Sequence, residues 1–434
     1  VPAFLAPGDS ADVTVGLYNT EAEAQDVTLT LSLSGALRSD LQPQQFHIEP
    51  GREATAHFAV KAGENLGQGE LHWKLATSEG ELKISESISV RPLTPHRLTL
   101  ATAVLDRSEA KLKLDRQLFT PFSKVEAALG NSPLVWAQGL SHYLDNYPHA
   151  CTEQLVSKAV PALLLGKPQD NLNDFNQLIG QLRSRQNSSG GFGLWDANPI
   201  VEPMVALYVV DMLLDAKAQG YPVPQDLLDK ANSYLSSVSS GPSSGLNELR
   251  ERAYGAYLLA RQGVQVSGAL ADIRERLQRY YPKDWQADIA SAWLAASFTL
   301  MQQQQLAEPL WQAQKWQLLE DKPQRLGLYL DPMVHDAQLL TLIARQAPQR
   351  LDDLPEQLLP RMGQWLSEQR YSSLSAGTLV RALTALDNSR GDQGLAMQAL
   401  VDKAWQALSL PKAKLPLGSE EVKYQKTGTN DAFY

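Results

Sequence analysis

Cys151 is the only cysteine in a chain of 434 residues, and Gln154 stands three positions after it in the stretch NYPHACTEQLVSKAVPALLL (146–165). A thiol and a side-chain amide at this spacing can react with each other. Residues three apart on a helical turn are neighbours, with Cβ atoms about 5 to 6 Å apart, so the sulfur can reach the side-chain carbonyl carbon. Loss of ammonia would leave an internal thioester, an acyl group far more open to amines and hydroxyls than the parent amide. Tyr147 and Pro148 disfavour helix just before the cysteine, and EQLVSKAVPALLL resumes helical period. Cys151 is therefore expected at a loop-to-helix junction, where a helix N-terminus favours the thiolate. The competing reading is the ordinary fate of a free cysteine, a small buried hydrophobe. Spacing alone leaves both open.

The elements that must position this pair fall into two classes. From Val1 to about Arg91, apolar and polar residues alternate in DVTVGLYN (12–19), DVTLTLSLSG (26–35) and ATAHFAVKA (54–62), with turn residues between the runs. Period two broken by Gly, Pro and Asn predicts an N-terminal antiparallel β-sandwich. A smaller β segment is expected from HRLTLATAVL (96–105) and AKLKLD (110–115). From about Ser132 to about Leu410 the period becomes helical, as in EPMVALYVVDMLLDAKAQG and DIASAWLAASFTLMQQQ. Ten or more helices in loosely repeated pairs suggest an array closed into an α/α-toroid. Residues 411–434 return to β-like composition.

Bulk properties narrow the function classes. The chain is long enough for two or three domains. Its formal charge of −9 argues against nucleic acid as a partner, because phosphate binding needs a basic patch. One cysteine excludes an internal disulfide. No run of eighteen apolar residues suggests a membrane span.

Other chemically suggestive residues have simpler explanations. Asp331, His335 and Asp336 in DPMVHDA lack a second His or Cys partner nearby, so a helix-capping Asp and a surface His are expected, with no metal. Gly190, Gly191 and Gly193 do not link a strand to a helix in the dinucleotide manner and read as a turn between helices. Trp195, Trp285, Trp293, Trp311 and Trp316 read as core or rim. No cofactor is implied.

The string YPHACTEQLVSKAVPALL resembles the Cys-x-Glu-Gln thioester motif of the alpha-2-macroglobulin and complement superfamily, where an aromatic-Pro pair precedes it and a helix follows. The resemblance extends along the chain. PAFLAPGDSADVTVGLYN is similar to the start of a macroglobulin domain, and QNSSGGFGLW with the helices after it is similar to the helical thioester domain. RERAYGAYLLARQG and NDAFY are similar to the bacterial branch. The resemblance implies a macroglobulin-like domain over 1–91, a first CUB-like segment over 92–129, a helical thioester domain over 130–410 and the start of a second CUB-like segment over 411–434.

It also implies roles. Cys151 would supply the thiol, Gln154 the acyl carbonyl, and Glu153 the motif's glutamate that orients the turn, with Tyr147 and Pro148 as the aromatic-Pro pair. Thr152 and Ala150 occupy positions often held by glycine. Some members carry a histidine further on that steers the acyl group toward hydroxyls. None of the seven histidines here falls in the corresponding region, Pro242 to Glu248, so direct attack by amines is implied, with Asn247 a candidate for that position. His149 is close enough in sequence to suggest a base, but a filler of the loop before the cysteine is the simpler role. The function implied is a broad-range protease inhibitor of bacterial type, not a turnover enzyme, that traps proteases covalently through their surface amines and reacts with methylamine. The periplasm, with a lipid anchor at the inner membrane, is the implied location. Two other classes remain: an α/α-toroid enzyme acting on glycans or isoprenoids, which would need clustered acids or histidines at the toroid centre, and an inert binding module of the cell envelope.

Overall fold

The structure, a computed structural model, describes residues 2–93, 97–114, 124–387 and 393–434. They fall into two compact units, Val1–Leu98 and Thr99–Tyr434.

In the first unit the alternating segments form strands β1 (Phe4–Leu5), β2 (Ser10–Tyr18), β3 (Gln25–Gly35), β4 (Leu37–Arg38), β5 (Gln44–Ile48), β6 (Glu53–Ala62), β7 (Gly67–Thr77) and β8 (Gly80–Val90). They build two sheets, ordered β1-β8-β7-β3-β5 and β2-β6-β4. Strand β6 shows why: Ala56, Phe58, Val60 and Ala62 point inward while the residues between them stay in solvent. Their partners across the core are Leu29, Leu31, Leu71, Trp73 and Ile88, with Phe58 edge-on to Trp73 at 5.5 Å. The short β1 runs parallel to β8, a departure from the all-antiparallel expectation.

In the second unit, strands β9 (Val104–Leu105), β10 (Glu109–Lys113) and β11 (Glu126–Ala128) precede the helices. Of the expected strand over 96–105, only Val104 and Leu105 are extended partners, and position 96 lies outside the described residues. Thr102 instead ties to the helical part, its N–H donating to Ser367 Oγ and its hydroxyl to the Gly363 carbonyl, both at 2.8 Å.

Among the described residues twelve α-helices follow: α1 (Trp136–Asp145), α2 (Thr152–Leu165), α3 (Pro168–Arg185), α4 (Pro203–Ala218), α5 (Gln225–Ser240), α6 (Leu246–Ala260), α7 (Ser267–Tyr280), α8 (Ile289–Leu300), α9 (Gln304–Gln312), α10 (Pro332–Gln346), α11 (Leu358–Ser367) and α12 (Ser373–Leu386). The even-numbered helices form a chain of contacts, α2 to α4 to α6 to α8 to α10 to α12, and α12 returns to α2. This closes a ring. Helices α4, α6, α8, α10 and α12 are buried on nearly every face, whereas α3, α5 and α7 bury a single stripe, as an inner and an outer layer must. Where α12 crosses α2, Gly377 is required: a Cβ there would lie 2.6 Å from the Tyr208 hydroxyl and 3.1 Å from Ser157.

The helical run ends earlier than its sequence pattern suggested. Residues expected to be helical up to Leu410 include strands β12 (Leu395–Val401) and β13 (Ala404–Leu408). They are joined at Asp402 and Lys403, both at positive φ, a two-residue hairpin turn in which neither residue is glycine. Strands β14 (Lys412–Lys414), β15 (Glu421–Lys426) and β16 (Ala432–Phe433) complete the chain. The sheet order β10-β15-β12-β13 pairs strands from before and after the helices, as do β11 with β14 and β9 with β16. The helical ring is thus an insertion into one β layer.

Candidate functional site

Cys151 caps α2 from an extended conformation (φ −64°, ψ 168°), at the junction its neighbours predicted. Its backbone N–H donates to Gln154 Oε1 at 2.9 Å, which folds the glutamine back over the cysteine. The side-chain carbonyl of Gln154 is therefore held by a fixed backbone donor, the arrangement that stabilises negative charge on a carbonyl oxygen under attack. The thiol is not a pre-formed thiolate. Burial pushes it above the ordinary cysteine value and the Glu153 charge adds to this, while the N–H groups of Gln154 and Glu153, and Arg185, offset only part. The expectation from the helix N-terminus is corrected on this point, because Cys151 is half-buried and desolvation outweighs the backbone donors.

Glu153 is buried, and its carboxylate reaches across to α12. Ser157 Oγ donates to Oε1 at 2.7 Å and Ser373 Oγ to Oε2 at 3.0 Å. Burial raises its pKa and the two hydroxyls partly oppose that. Its role is to fasten the first turn of α2 to the start of α12.

Thr152 fastens the other side. Its N–H donates to the Leu194 carbonyl at 3.0 Å and its hydroxyl to the Gly193 carbonyl, while Arg185 Nη1 donates to Thr152 Oγ1 at 3.2 Å. Arg185 is itself buried and donates through Nε to Asp196 at 3.0 Å. The segment Gly190–Leu194, read from sequence as a turn between helices, is thereby stitched to the cysteine's own turn. Gly190 has φ +85°, and a Cβ there would lie 1.9 Å from the Lys230 carbonyl oxygen, so no other residue fits.

In front of the cysteine, aromatic rings form a ladder: Tyr371 against Tyr143 at 4.9 Å, Tyr143 against Tyr147 at 5.6 Å, and Tyr147 against His149 at 5.7 Å. Lys158 Nζ donates to the Tyr147 carbonyl at 2.9 Å. Pro148 and His149 are exposed, and His149 contributes a ring edge to the ladder.

Asn247 lies in the first turn of α6 and accepts from Arg250 Nη1 at 3.0 Å; Arg250 also donates to the Leu326 carbonyl. It thus supports the loop before α10. In the same loop the Tyr329 hydroxyl is pushed up by burial, then by the neighbouring Glu202, Cys151 and Glu153. Tyr329 lines a small cleft with Glu153, Met204, Val205, Tyr208, Tyr254, Gln338 and Leu374. No sequence motif marked Tyr329, Arg185 or Lys158. Nearby, Glu251 is pushed up to about 7 by burial and by the charges of Glu202 and Glu248.

His335 is fully buried rather than on the surface, its Nδ1 2.8 Å from Asp336 Oδ1. Asp336 also accepts the N–H groups of Gln317 and Leu318 at 2.8 Å, and Asp331 caps α10 through the Val334 N–H. Among the described residues no group of three or more His, Cys, Asp or Glu is placed to hold a metal ion. Trp285, Trp293 and Trp311 are buried and Trp195 is half exposed.

The C-terminal halves of the inner helices meet in a buried ionic network. Arg381 bridges Asp211 and Asp215 at 2.8 Å each, Arg345 pairs with Asp215 at 2.8 Å, and Arg261 pairs with Asp215 at 2.9 Å and with Asp211. Burial would raise both carboxyls, but the guanidinium groups outweigh it and hold them below the usual range.

No protein-family model matches the chain. The chain is 33% identical over 430 residues to the alpha-2-macroglobulin homolog of Yersinia pestis, covering 95% of this chain and 21% of that protein. It is 30% identical over 422 residues to the alpha-2-macroglobulin of Pasteurella multocida, covering 89% and 22%. Its whole length aligns with native Escherichia coli alpha-2-macroglobulin spanning domain MG7 to the C-terminus, at TM-score 0.66, 21% identity and 72% of that chain. It also aligns with Salmonella alpha-2-macroglobulin reacted with methylamine, at TM-score 0.63, 23% identity and 30% of that chain. By sequence the chain is a relative of the bacterial alpha-2-macroglobulins, and its fold is that of their C-terminal region. It spans about a fifth of the curated relatives it matches, 21% and 22% of their lengths.

Proposed function

We propose that Cys151 and Gln154 form an internal thioester and that the chain is the acyl-transfer portion of a bacterial protease trap. The observation that carries this reading is the hydrogen bond from the Cys151 N–H to Gln154 Oε1, which fixes the carbonyl beside the thiol. In forming the bond, Sγ attacks the Gln154 side-chain carbon, the C–N bond breaks, and ammonia leaves with the thiol proton. In trapping, a lysine amine of the protease attacks the same carbon, the C–S bond breaks, and the amine proton passes to the thiolate. Each molecule reacts once, so the chain is an inhibitor and not a turnover enzyme.

The raised Cys151 pKa supports a latent state. A thiolate leaves more slowly as its conjugate acid becomes weaker, so burial slows hydrolysis and exposure speeds transfer. Within the buried network at the C-terminal halves of the inner helices, Asp211 and Asp215 are paired with Arg261, Arg345 and Arg381, which supports this reading over a glycan or isoprenoid enzyme using those acids. We assign the first unit as macroglobulin-like, the divided β layer as CUB-like and the helical ring as the thioester domain. Reaction of the Salmonella relative with methylamine suggests the same small amine as a probe here. The reading places the protein in the periplasm, held at the inner membrane by a lipid.

The test is incorporation of isotope-labelled methylamine. Stoichiometric labelling at Gln154 with release of one thiol is expected, and Cys151→Ala should abolish it. Equal labelling of the wild type and Cys151→Ala refutes the thioester.

A further inference from the structure

Lys158 belongs to the site, and the trapping reaction does not use it. It stands four residues after Gln154 on α2, so the two side chains share one helix face with Cβ atoms about 5 to 6 Å apart. Helical side chains lean toward the N-terminus, so Lys158 extends past Gln154 toward the loop before the cysteine. There its Nζ donates to the Tyr147 carbonyl at 2.9 Å. An amine on the same helical face as an activated acyl group is an intramolecular nucleophile, and well-oriented intramolecular reactions reach effective molarities of about 10⁵ to 10⁸ M. In the structure that amine is engaged, its Nζ aimed at the Tyr147 carbonyl.

We propose that Lys158 is a modification site, the internal acceptor that closes a Gln154–Lys158 isopeptide bond when the Tyr147 segment moves away. The inference rests on the thioester proposed above. Nζ, having lost its proton to solvent, attacks the Gln154 side-chain carbon. The C–S bond breaks, an amide C–N bond forms, and of the two protons left on Nζ one goes to the Cys151 thiolate while the other stays on the amide nitrogen. No oxidant or co-reactant is needed. The Tyr147 ring packs on Tyr143 and His149, its carbonyl accepts from Lys158 Nζ, and residues 148–150 are exposed, so displacement of this segment breaks that hydrogen bond and frees the lysine. An exposed acyl group that meets no target then ends on its own helix instead of acylating bystander proteins.

The test follows the purified protein as its thioester decays with no added amine, by intact mass, thiol alkylation and tryptic mapping. The starting species is one ammonia lighter than the unmodified chain and resists alkylation. The isopeptide product keeps that mass but accepts one alkyl group at Cys151 and resists trypsin at Lys158, with fragment ions joining Gln154 to Lys158. K158R, which can still donate to Tyr147 but offers no comparable nucleophile, should decay only to the product one water heavier. Decay of the wild type solely to that hydrolysed product, with Lys158 cleavable, overturns the inference and leaves the thioester standing. A starting chain of unmodified mass with an alkylatable thiol overturns both.

Discussion

Glu153 and Ser373 are 220 positions apart in sequence and 3.0 Å apart in space, the hydroxyl of one inner helix donating to the carboxylate of another beside the reactive pair. The turn that carries Cys151 is thereby tied to the last helix of the ring as that ring closes. Replacing Glu153 with Ala leaves the Ser157 and Ser373 hydroxyls without their acceptor in a buried place. A loss of about 1 to 3 kcal/mol in unfolding free energy of the helical unit is expected by urea titration.

Cys151→Ser separates the cap from the chemistry. Serine is among the preferred N-cap residues, so thermal stability should stay within about 1 kcal/mol of wild type or rise, while methylamine incorporation at position 154 falls to background. Calorimetry and labelling on one preparation check both.

Thr152→Val removes the hydroxyl that reaches the Gly193 carbonyl and receives Arg185. Amide hydrogen exchange in Gly190–Leu194 should accelerate, and spontaneous thioester hydrolysis should quicken with it. Unchanged exchange would show that the Thr152 N–H to Leu194 carbonyl bond is enough by itself.

Arg381→Met leaves Asp211 and Asp215 buried with one guanidinium fewer. Breaking a buried pair from one side costs about 3 to 5 kcal/mol, so the helical unit should unfold at clearly lower urea. The first unit's transition should not move, because the network lies entirely in the second.

Glu251 gives a pH signature. Its folded pKa of about 7 lies above the ordinary glutamate value of 4.5, so the folded state binds more protons between them. Its contribution is favourable at low pH and is lost as pH rises through about 7. Glu251→Gln should flatten the decline of stability between these values, read as thermal midpoint against pH.

Much of this was legible in the sequence because period and punctuation agreed. The inward residues of β6 alternate without exception, and α8, IASAWLAASFTL, is apolar all round as an inner helix must be. The cysteine's place at a helix start followed from Pro148 and the helical period after it. What was not legible depended on distance across the fold. LAMQALVDKAWQAL carries apolar spacings that suit either period, and its Asp402-Lys403 turn lacks the glycine that would have marked a hairpin. His335 looked like a surface residue because its burial comes from neighbouring helices. The thiol pKa moved upward because desolvation belongs to the packed site, whereas sequence shows only the helix N-terminus. Lys158, Arg185 and Tyr329 are unremarkable in sequence, and only the ring brings them to the cysteine's turn.

The central claim is the covalent bond between Cys151 and Gln154, and intact mass with and without a thiol-alkylating reagent tests it most directly. The account predicts a freshly prepared native chain one ammonia lighter than its sequence mass that takes up no alkyl group until methylamine is added. A native chain of full sequence mass, with Cys151 alkylated at once and no response to methylamine, would contradict it.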